Sequence, residues 1–240
     1  MECVALIPAA GSGQRLGGSI PKQYHLLRGT PMLVHTVWAM QAHPGIQHVF
    51  VILSPDDTLF ATLCAPHLQH CTPLYVGAQT RAGSVLNGLK AIASNFADAW
   101  VCVHDAARPC LHPEDLSNLV DTLKATTDGI VLANPVADTL KRTHKNTTQV
   151  LETVSRDTLW QAQTPQIARC TTLLDALTQA LEASYENTPT DEAQALEWAG
   201  YSVQLVAARH PNFKVTYPAD QRLAEAVLAQ IERPRPVHSP

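Results

Sequence analysis

Strand-length apolar runs alternate with helix-length segments along most of this chain. Val4–Pro8, Val49–Leu53, Leu74–Val76, Trp100–His104, Gly129–Ala133 and Val203–Ala207 are largely continuous apolar runs rather than alternating ones. A strand of that kind is covered on both faces. Helices are predicted between them, at Pro31–Met40, Asp56–Cys64, Ala82–Ser94, Pro113–Ala125, Thr171–Ala183, Asp191–Ala199 and Ala219–Ile231. Pro31 falls in the first turn of its helix, where its missing N–H is harmless. The pattern implies an α/β fold: a three-layer, mostly parallel, Rossmann-like sheet with right-handed crossovers. Ligands of such sheets bind beyond the carboxyl ends of the strands.

Bulk properties narrow the partners. The 240 residues are 45% hydrophobic and 16% charged, which suits one domain over 1–240 burying roughly three-quarters of its unfolded surface. A net charge of −4 gives no overall basic field for nucleic acid or an anionic membrane. Aromatic residues, at 5%, are too sparse for base-stacking platforms. No apolar stretch approaches the ~20 residues of a membrane span. The opening MECVALIPAAGSG lacks the basic n-region of a secretory signal. Cys3, Cys64, Cys71, Cys102, Cys110 and Cys170 form no C-x-x-C pair. Scattered thiols in apolar runs point to packing roles in a reducing cytoplasm.

The alternation breaks at Val136–Val154. VADTLKRTHKNTTQVLETV has period-two stretches on either side of the polar, turn-prone Thr143–Thr148. That is the pattern of a β-hairpin, an arm over about 136–157 of the kind that reaches a partner subunit. The Pro-rich tail, about 233–240, is expected to fray. No internal repeat is visible.

The loop after the first strand, AAGSGQRLGGSIPKQY, runs from Ala9 to Tyr24. It fails the dinucleotide fingerprint G-x-G-x-x-G, because Leu16 stands where the third glycine belongs. It fails the P-loop as well, because Ser19 follows Gly18 where lysine is needed. What remains is a glycine-rich loop with two cations of its own, Arg15 and Lys22. Seven residues of chain separate them by at most about 25 Å. The glycines let the loop fold back, so both heads can converge on one triphosphate. Gly11 and Gly13 let backbone N–H groups approach phosphate oxygens.

Further charged groups fall at other strand ends. Asp105 and Arg108 stand in VHDAARP, Arg81 and Ser84 in VGAQTRAGSV, Arg156 in TVSRDTLW, and Lys214 in NFKVT. Each has an ordinary reading by itself. Asp105 can be a turn former, Ser84 a cap or first-turn residue, and the cations solvated side chains or surface ion pairs. Together they put cations at most of the strand ends of an acidic protein, and a polyanionic ligand explains that placement.

This ordered set resembles the 2-C-methyl-D-erythritol 4-phosphate cytidylyltransferase family. The likeness runs from IPAAGSGQRLGGSIPKQY through VHDAARP, TVSRDTLWQAQTPQ and PTDEAQALEWAG to NFKVT. The resemblance implies a nucleotidyltransferase that joins CTP to methylerythritol phosphate, releases pyrophosphate, uses Mg²⁺ and works as a homodimer through its arms. It implies that Ala9, Ala10 and Gly11 line the nucleoside pocket. Arg15 and Lys22 would hold the triphosphate and stabilise the transition state, and Lys214 would complete the catalytic set. Ser84 and the segment Gly77, Ala78 and Gln79 would read cytosine. Asp105 would bind ribose or substrate, and Arg108 the methylerythritol end. Arg156 would bind the substrate phosphate from a partner's arm, with Thr164 and Thr190 completing the site. Protein side chains are not expected to hold the Mg²⁺, which the CTP phosphates would carry.

The chain departs from the family pattern in places. Gly77-Ala78 stands where two glycines are usual, and Gln79 where an acidic residue is common. The Gln79 carbonyl oxygen can still accept from the cytosine amino group. Ser155 and Gly83 also replace residues that are frequently acidic. Alternative readings are a cytidylyltransferase for another polyol phosphate, such as ribitol 5-phosphate, and a nucleotide-sensing subunit without turnover. A Rossmann oxidoreductase is disfavoured by the misplaced third glycine.

Overall fold

The computed structural model describes residues 2–11, 20–123, 128–183 and 188–231. Its strands are β1 (Cys3–Pro8), β2 (Leu26–Leu27), β3 (Thr30–Pro31), β4 (Ile46–Ile52), β5 (Cys71–Leu74), β6 (Trp100–Val103), β7 (Gly129–Pro135), β8 (Leu140–Thr143), β9 (Val150–Val154), β10 (Trp160–Arg169) and β11 (Val203–Ala207). Its α-helices are α1 (Met32–Gln41), α2 (Phe60–Leu63), α3 (Arg81–Phe96), α4 (Pro113–Thr122), α5 (Cys170–Glu182), α6 (Glu192–Trp198) and α7 (Pro218–Leu228).

Seven strands form one sheet in the order β11-β7-β10-β6-β1-β4-β5. All neighbours pair in parallel except β10, which runs against both β6 and β7. The chain leaves β1 toward β4 and β5, then crosses to β6 on the other side. The strand order therefore reverses beside β1, and a crevice opens there at the carboxyl ends.

Strand β1 shows why the layers form. Cys3, Ala5 and Ile7 face a core shared with Leu33, Val37 and Leu116 of α1 and α4. Val4 and Leu6, pointing the other way, join Val85, Leu89, Leu173 and Leu177 of α3 and α5. An apolar residue at every position of the strand is what two covered faces require. A smaller cluster packs Ala224 and Leu228 of α7 against Met32, Cys110 and Val215.

The structure shifts several boundaries, ending α4 at Thr122 rather than Ala125 and starting β4 at Ile46 rather than Val49, and it adds the short pair β2 and β3 and the long strand β10. The run expected at Leu74–Val76 pairs earlier, as Cys71–Leu74. Its register with β4 ends at Ile52 opposite Leu74, which leaves Tyr75 and Val76 beyond the ladder. The helix expected over Asp56–Cys64 begins only at Phe60. Asp57 Oδ1 accepts the Leu59 and Phe60 N–H groups at 3.0 Å and starts the turn there. The last helix starts at Pro218 and ends at Leu228 rather than Ile231. Strand β10 is new. Pro165 argues against a central strand there, yet pairing with β7 skips from Ala162 to Gln166. The cis Thr164–Pro165 bond sits in that interruption, where no ladder needs the missing N–H.

The expected hairpin is present. Strands β8 and β9 pair only with each other, from Leu140 opposite Val154 to Thr143 opposite Val150. Val150 and Leu151 remain exposed, as do Leu159 and Trp160 at its base. Among the described residues no helix is long and apolar enough to cross a membrane. The tail expected to fray, from 233 on, lies outside the described residues.

Candidate active site

The crevice beside β1 is a cleft of about 370 Å³. Ala10 and Gly11 after β1 form one wall. Ala78, Gln79 and Ser84 after β5 form another, and Asp105 after β6 lies between them with Lys22 and Lys214. The strand-end prediction of the sequence thus becomes one concave surface. Gly13 and Arg15 lie outside the described residues.

Close packing shapes the two walls. The Gly77 N–H donates to Leu53 O at 2.8 Å. A Cβ on Gly77 would stand 2.3 Å from the Ala10 Cβ and 2.7 Å from Leu53 O. Gly77 therefore lies behind the wall, where only glycine fits. Gly77→Ala is expected to cost about 1–3 kcal/mol of stability through overpacking. A urea unfolding midpoint unchanged from the wild type would contradict this. Ala9 is likewise structural: its N–H donates to Ile52 O, and its carbonyl accepts from Gln23 Nε2 at 2.7 Å.

Ser84 lies in the first turns of α3, and Thr80 is the N-cap that accepts the Gly83 N–H. The Ser84 hydroxyl donates to Thr80 O at 2.9 Å and accepts the Ala78 N–H at 2.9 Å. It holds the 78–80 turn in shape while lining the cleft.

Asp105 organises the floor. It is buried, yet three cations reach it: Arg81 Nε at 3.0 Å, Lys214 Nζ at 2.9 Å and Arg108 Nε at 3.4 Å. Arg81 also makes a bidentate pair with Glu192 of α6, at 2.7 and 3.0 Å, and Glu192 is only 2% exposed. Burial pushes the Asp105 carboxyl up, but Arg81, Lys214 and Arg108 more than reverse this and hold it well below the usual carboxylate range. Burial likewise pulls Arg81 down, and Glu192 and Asp105 more than reverse that. Arg108 differs: burial wins over Asp105 and lowers it. Three cations face two carboxylates, an excess of one positive charge, before Lys22 is counted.

A carboxyl whose folded pKa lies below its unfolded value of about 3.9 stabilises the fold above that value. The contribution is withdrawn as pH falls through the folded value. The stability gap between the wild type and Asp105→Asn should therefore be full near neutral pH and shrink below about pH 4. A gap that widens on acidification would contradict the pairing.

Beneath the floor, hydrogen bonds tie three loops together. The Thr164 hydroxyl accepts the Asp105 N–H at 3.0 Å. His104 Nε2 faces Arg108 O at 3.0 Å, so that nitrogen carries the proton, and Nδ1 accepts from the Thr164 hydroxyl at 2.9 Å. Arg108 Nη1 donates to Asn212 O at 2.7 Å, and Asn212 Nδ2 donates to Thr164 O and Gln163 Oε1. Thr164 and Arg108 thus position Asp105 and the Lys214 loop.

The remaining candidates fall elsewhere on the chain. Arg156 is exposed just past β9, on the arm. Thr190 lines a separate pocket with Val131 and Asp191. A single copy of the chain does not bring either into the cleft. The sequence reading missed Glu192 and Asn212. Glu192 carried one signal, an acidic residue just after the Asp191 cap of a helix.

The fold and the cleft define an α/β nucleotidyltransferase. The family model described as 2-C-methyl-D-erythritol 4-phosphate cytidylyltransferase, IspD, matches residues 3–230. The enzyme of that name from Laribacter hongkongensis is 49% identical, covering 95% of this chain and 96% of its own. A crystal structure of a 4-diphosphocytidyl-2C-methyl-D-erythritol synthase superimposes with a TM-score of 0.80 at 34% identity, covering 95% of this chain and 98% of the other. The Francisella tularensis cytidylyltransferase superimposes with a TM-score of 0.78 at 32% identity, covering 95% and 100%. The chain belongs to the 2-C-methyl-D-erythritol 4-phosphate cytidylyltransferase family.

Proposed function

We propose that the chain transfers CMP from CTP to 2-C-methyl-D-erythritol 4-phosphate, giving 4-diphosphocytidyl-2-C-methyl-D-erythritol and pyrophosphate. The observation that carries this reading is the cleft itself, with Lys22 and Lys214 beside a buried, triply paired Asp105 at the strand-order reversal.

The chemistry asks for little else. A phosphate oxygen of the polyol attacks the α-phosphorus in line. A new P–O bond forms, and pyrophosphate leaves with the electrons of the broken one. The attacking group is already an anion at neutral pH, so no general base is required. The barrier lies in bringing anions together and in charge building on the α-phosphoryl oxygens. Lys22 and Arg15 hold the phosphates and meet that charge, and Lys214, paired with Asp105, lines the same cleft as Lys22. Ala10, Gly11, Gln79 and Ser84 enclose the nucleoside.

A divalent ion fits this arrangement only as a passenger of the nucleotide. Asp105 is the carboxylate lining the cleft among the described residues, and its oxygens already face three cations. Mg²⁺ commonly rides on substrate phosphates, keeping few protein ligands. When bound it would neutralise phosphate charge.

The arm suits a second copy of the chain. A two-stranded hairpin with exposed Val150, Leu151 and Trp160 has no core of its own and gains stability by docking. A homodimer joined through the arms would also bring Arg156 toward a partner's cleft. The six cysteines carry no disulfide, as suits the cytoplasm.

A substrate panel tests the reading. Pyrophosphate release is expected with CTP and methylerythritol phosphate, and not with ATP, GTP, UTP or ribitol 5-phosphate. Release with ribitol 5-phosphate alone would move the polyol assignment. Nucleotide binding without release in any pair would replace transfer by sensing.

A further inference from the structure

A second group of reactive side chains lies outside the cleft, where α4 begins. His112 is the N-cap of that helix, and Glu114 stands in its first turn. His210 comes from the loop after β11. The two imidazole rings stack, with centroids 3.6 Å apart and planes 13° from parallel. His112, Glu114 and His210 each offer a ligand atom, all within 4.8 Å of one another. His210 Nε2 lies 3.7 Å from a Glu114 oxygen. The Nδ1 on the other side of that ring is buried, makes no hydrogen bond, and lies 3.3 Å from Asp115 Oδ2. Asp115 is itself fully buried and accepts the Arg209 and His210 N–H groups.

We propose that His112, Glu114 and His210 form a site for a divalent transition-metal ion of the Zn²⁺ class. Two imidazoles and one carboxylate are a zinc donor set. Asp115 stands where a carboxylate orients a metal-bound imidazole through its other ring nitrogen. A proton on His210 Nδ1, toward Asp115, leaves the Nε2 lone pair facing Glu114. His112 must change its hydrogen bonding. Its Nδ1 accepts the Glu114 N–H at 3.3 Å, so the unliganded ring carries its proton on Nε2. A metal at Nε2 shifts that proton to Nδ1 and ends the contact, while the Leu116 N–H still donates to His112 O at 3.2 Å. Zinc bonds of 2.0–2.2 Å place ligand atoms about 3.3 Å apart, so the group closes by up to roughly 1.5 Å, and the His112 ring turns out of the stack so that the two in-plane lone pairs converge on the ion. The Glu114 side chain, 68% exposed, has room to turn. The bound ion ties the segment carrying Asp105 and Arg108 to the loop carrying Asn212 and Lys214. It is a clamp behind the cleft and takes no part in the transfer.

The test is Zn²⁺ titration of tag-free, full-length protein against a chromophoric chelator, with thermal unfolding in parallel. The wild type is expected to take up one ion per chain and to melt at a higher temperature with Zn²⁺ than without. His210→Ala and Glu114→Gln should each weaken uptake roughly tenfold or more and lose the thermal gain. Glu114 is exposed, so its variant folds whether or not the site exists. No uptake by the wild type, or affinity and thermal gain unchanged in both variants, would overturn the proposal.

Discussion

Lys22→Ala is expected to lower kcat by roughly 10²–10³-fold, or about 3–4 kcal/mol of transition-state stabilisation, while leaving the fold intact. The Lys22 side chain gives the fold one long hydrogen bond, Nζ to Val215 O at 3.4 Å, and its neighbours anchor the segment more firmly. Gln23 Nε2 donates to Ala9 O at 2.7 Å, and the buried Tyr24 hydroxyl donates to Asp57 Oδ2 at 2.6 Å. These contacts fix the short turn Lys22–Tyr24 against β1 and hold the lysine at the cleft. A cation held in place before the reaction meets developing phosphoryl charge without reorganising. Arg15→Ala is expected to behave alike. Steady-state kinetics with melting curves on purified variants provide the check, and near-normal kcat in both would remove the assigned roles.

Arg81→Met acts on stability instead. It removes the guanidinium shared by Glu192 and Asp105 and leaves two buried carboxylates short of a partner. Breaking a buried pair from one side costs about 3–5 kcal/mol, because the remaining charge stays desolvated. Glu192, at 2% exposure, has nowhere to find water without moving α6. Denaturant unfolding should show this loss. Arg81→Met combined with Glu192→Gln should recover part of it, since the orphaned charge is gone. A single variant as stable as the wild type would mean that the network is ornamental.

The layers were legible because burial on both faces writes itself into every residue of a strand. Val203–Ala207 has the expected limits, and α3 and α5 lie within a residue or two of theirs. Strand β10 was not legible, because Pro165 speaks against a strand unless the interruption between Ala162 and Gln166 is known. Tyr75 and Val76 look like strand residues, but the length of the β4 partner decides where pairing stops.

The site divides the same way. Lys22, Ser84, Asp105 and Lys214 were readable because loops after parallel strands converge by topology. Glu192 was not, because its pairing with Arg81 spans 111 positions and only the packing of α6 creates it. Asn212 works through a main-chain carbonyl and an amide, which leave no charge pattern. Arg156 and Thr190 lie away from the cleft of one chain, and their assigned roles rest on the family resemblance.

The most direct test follows the α-phosphorus itself. CTP carrying radioactive phosphorus at the α position is mixed with the purified protein, Mg²⁺ and methylerythritol phosphate. The label is expected in the diphosphocytidyl polyol, with one unlabelled pyrophosphate released per product and far slower transfer by Lys22→Ala. Label that stays in CTP while the nucleotide binds, or that appears in pyrophosphate, would contradict transfer of CMP in this cleft.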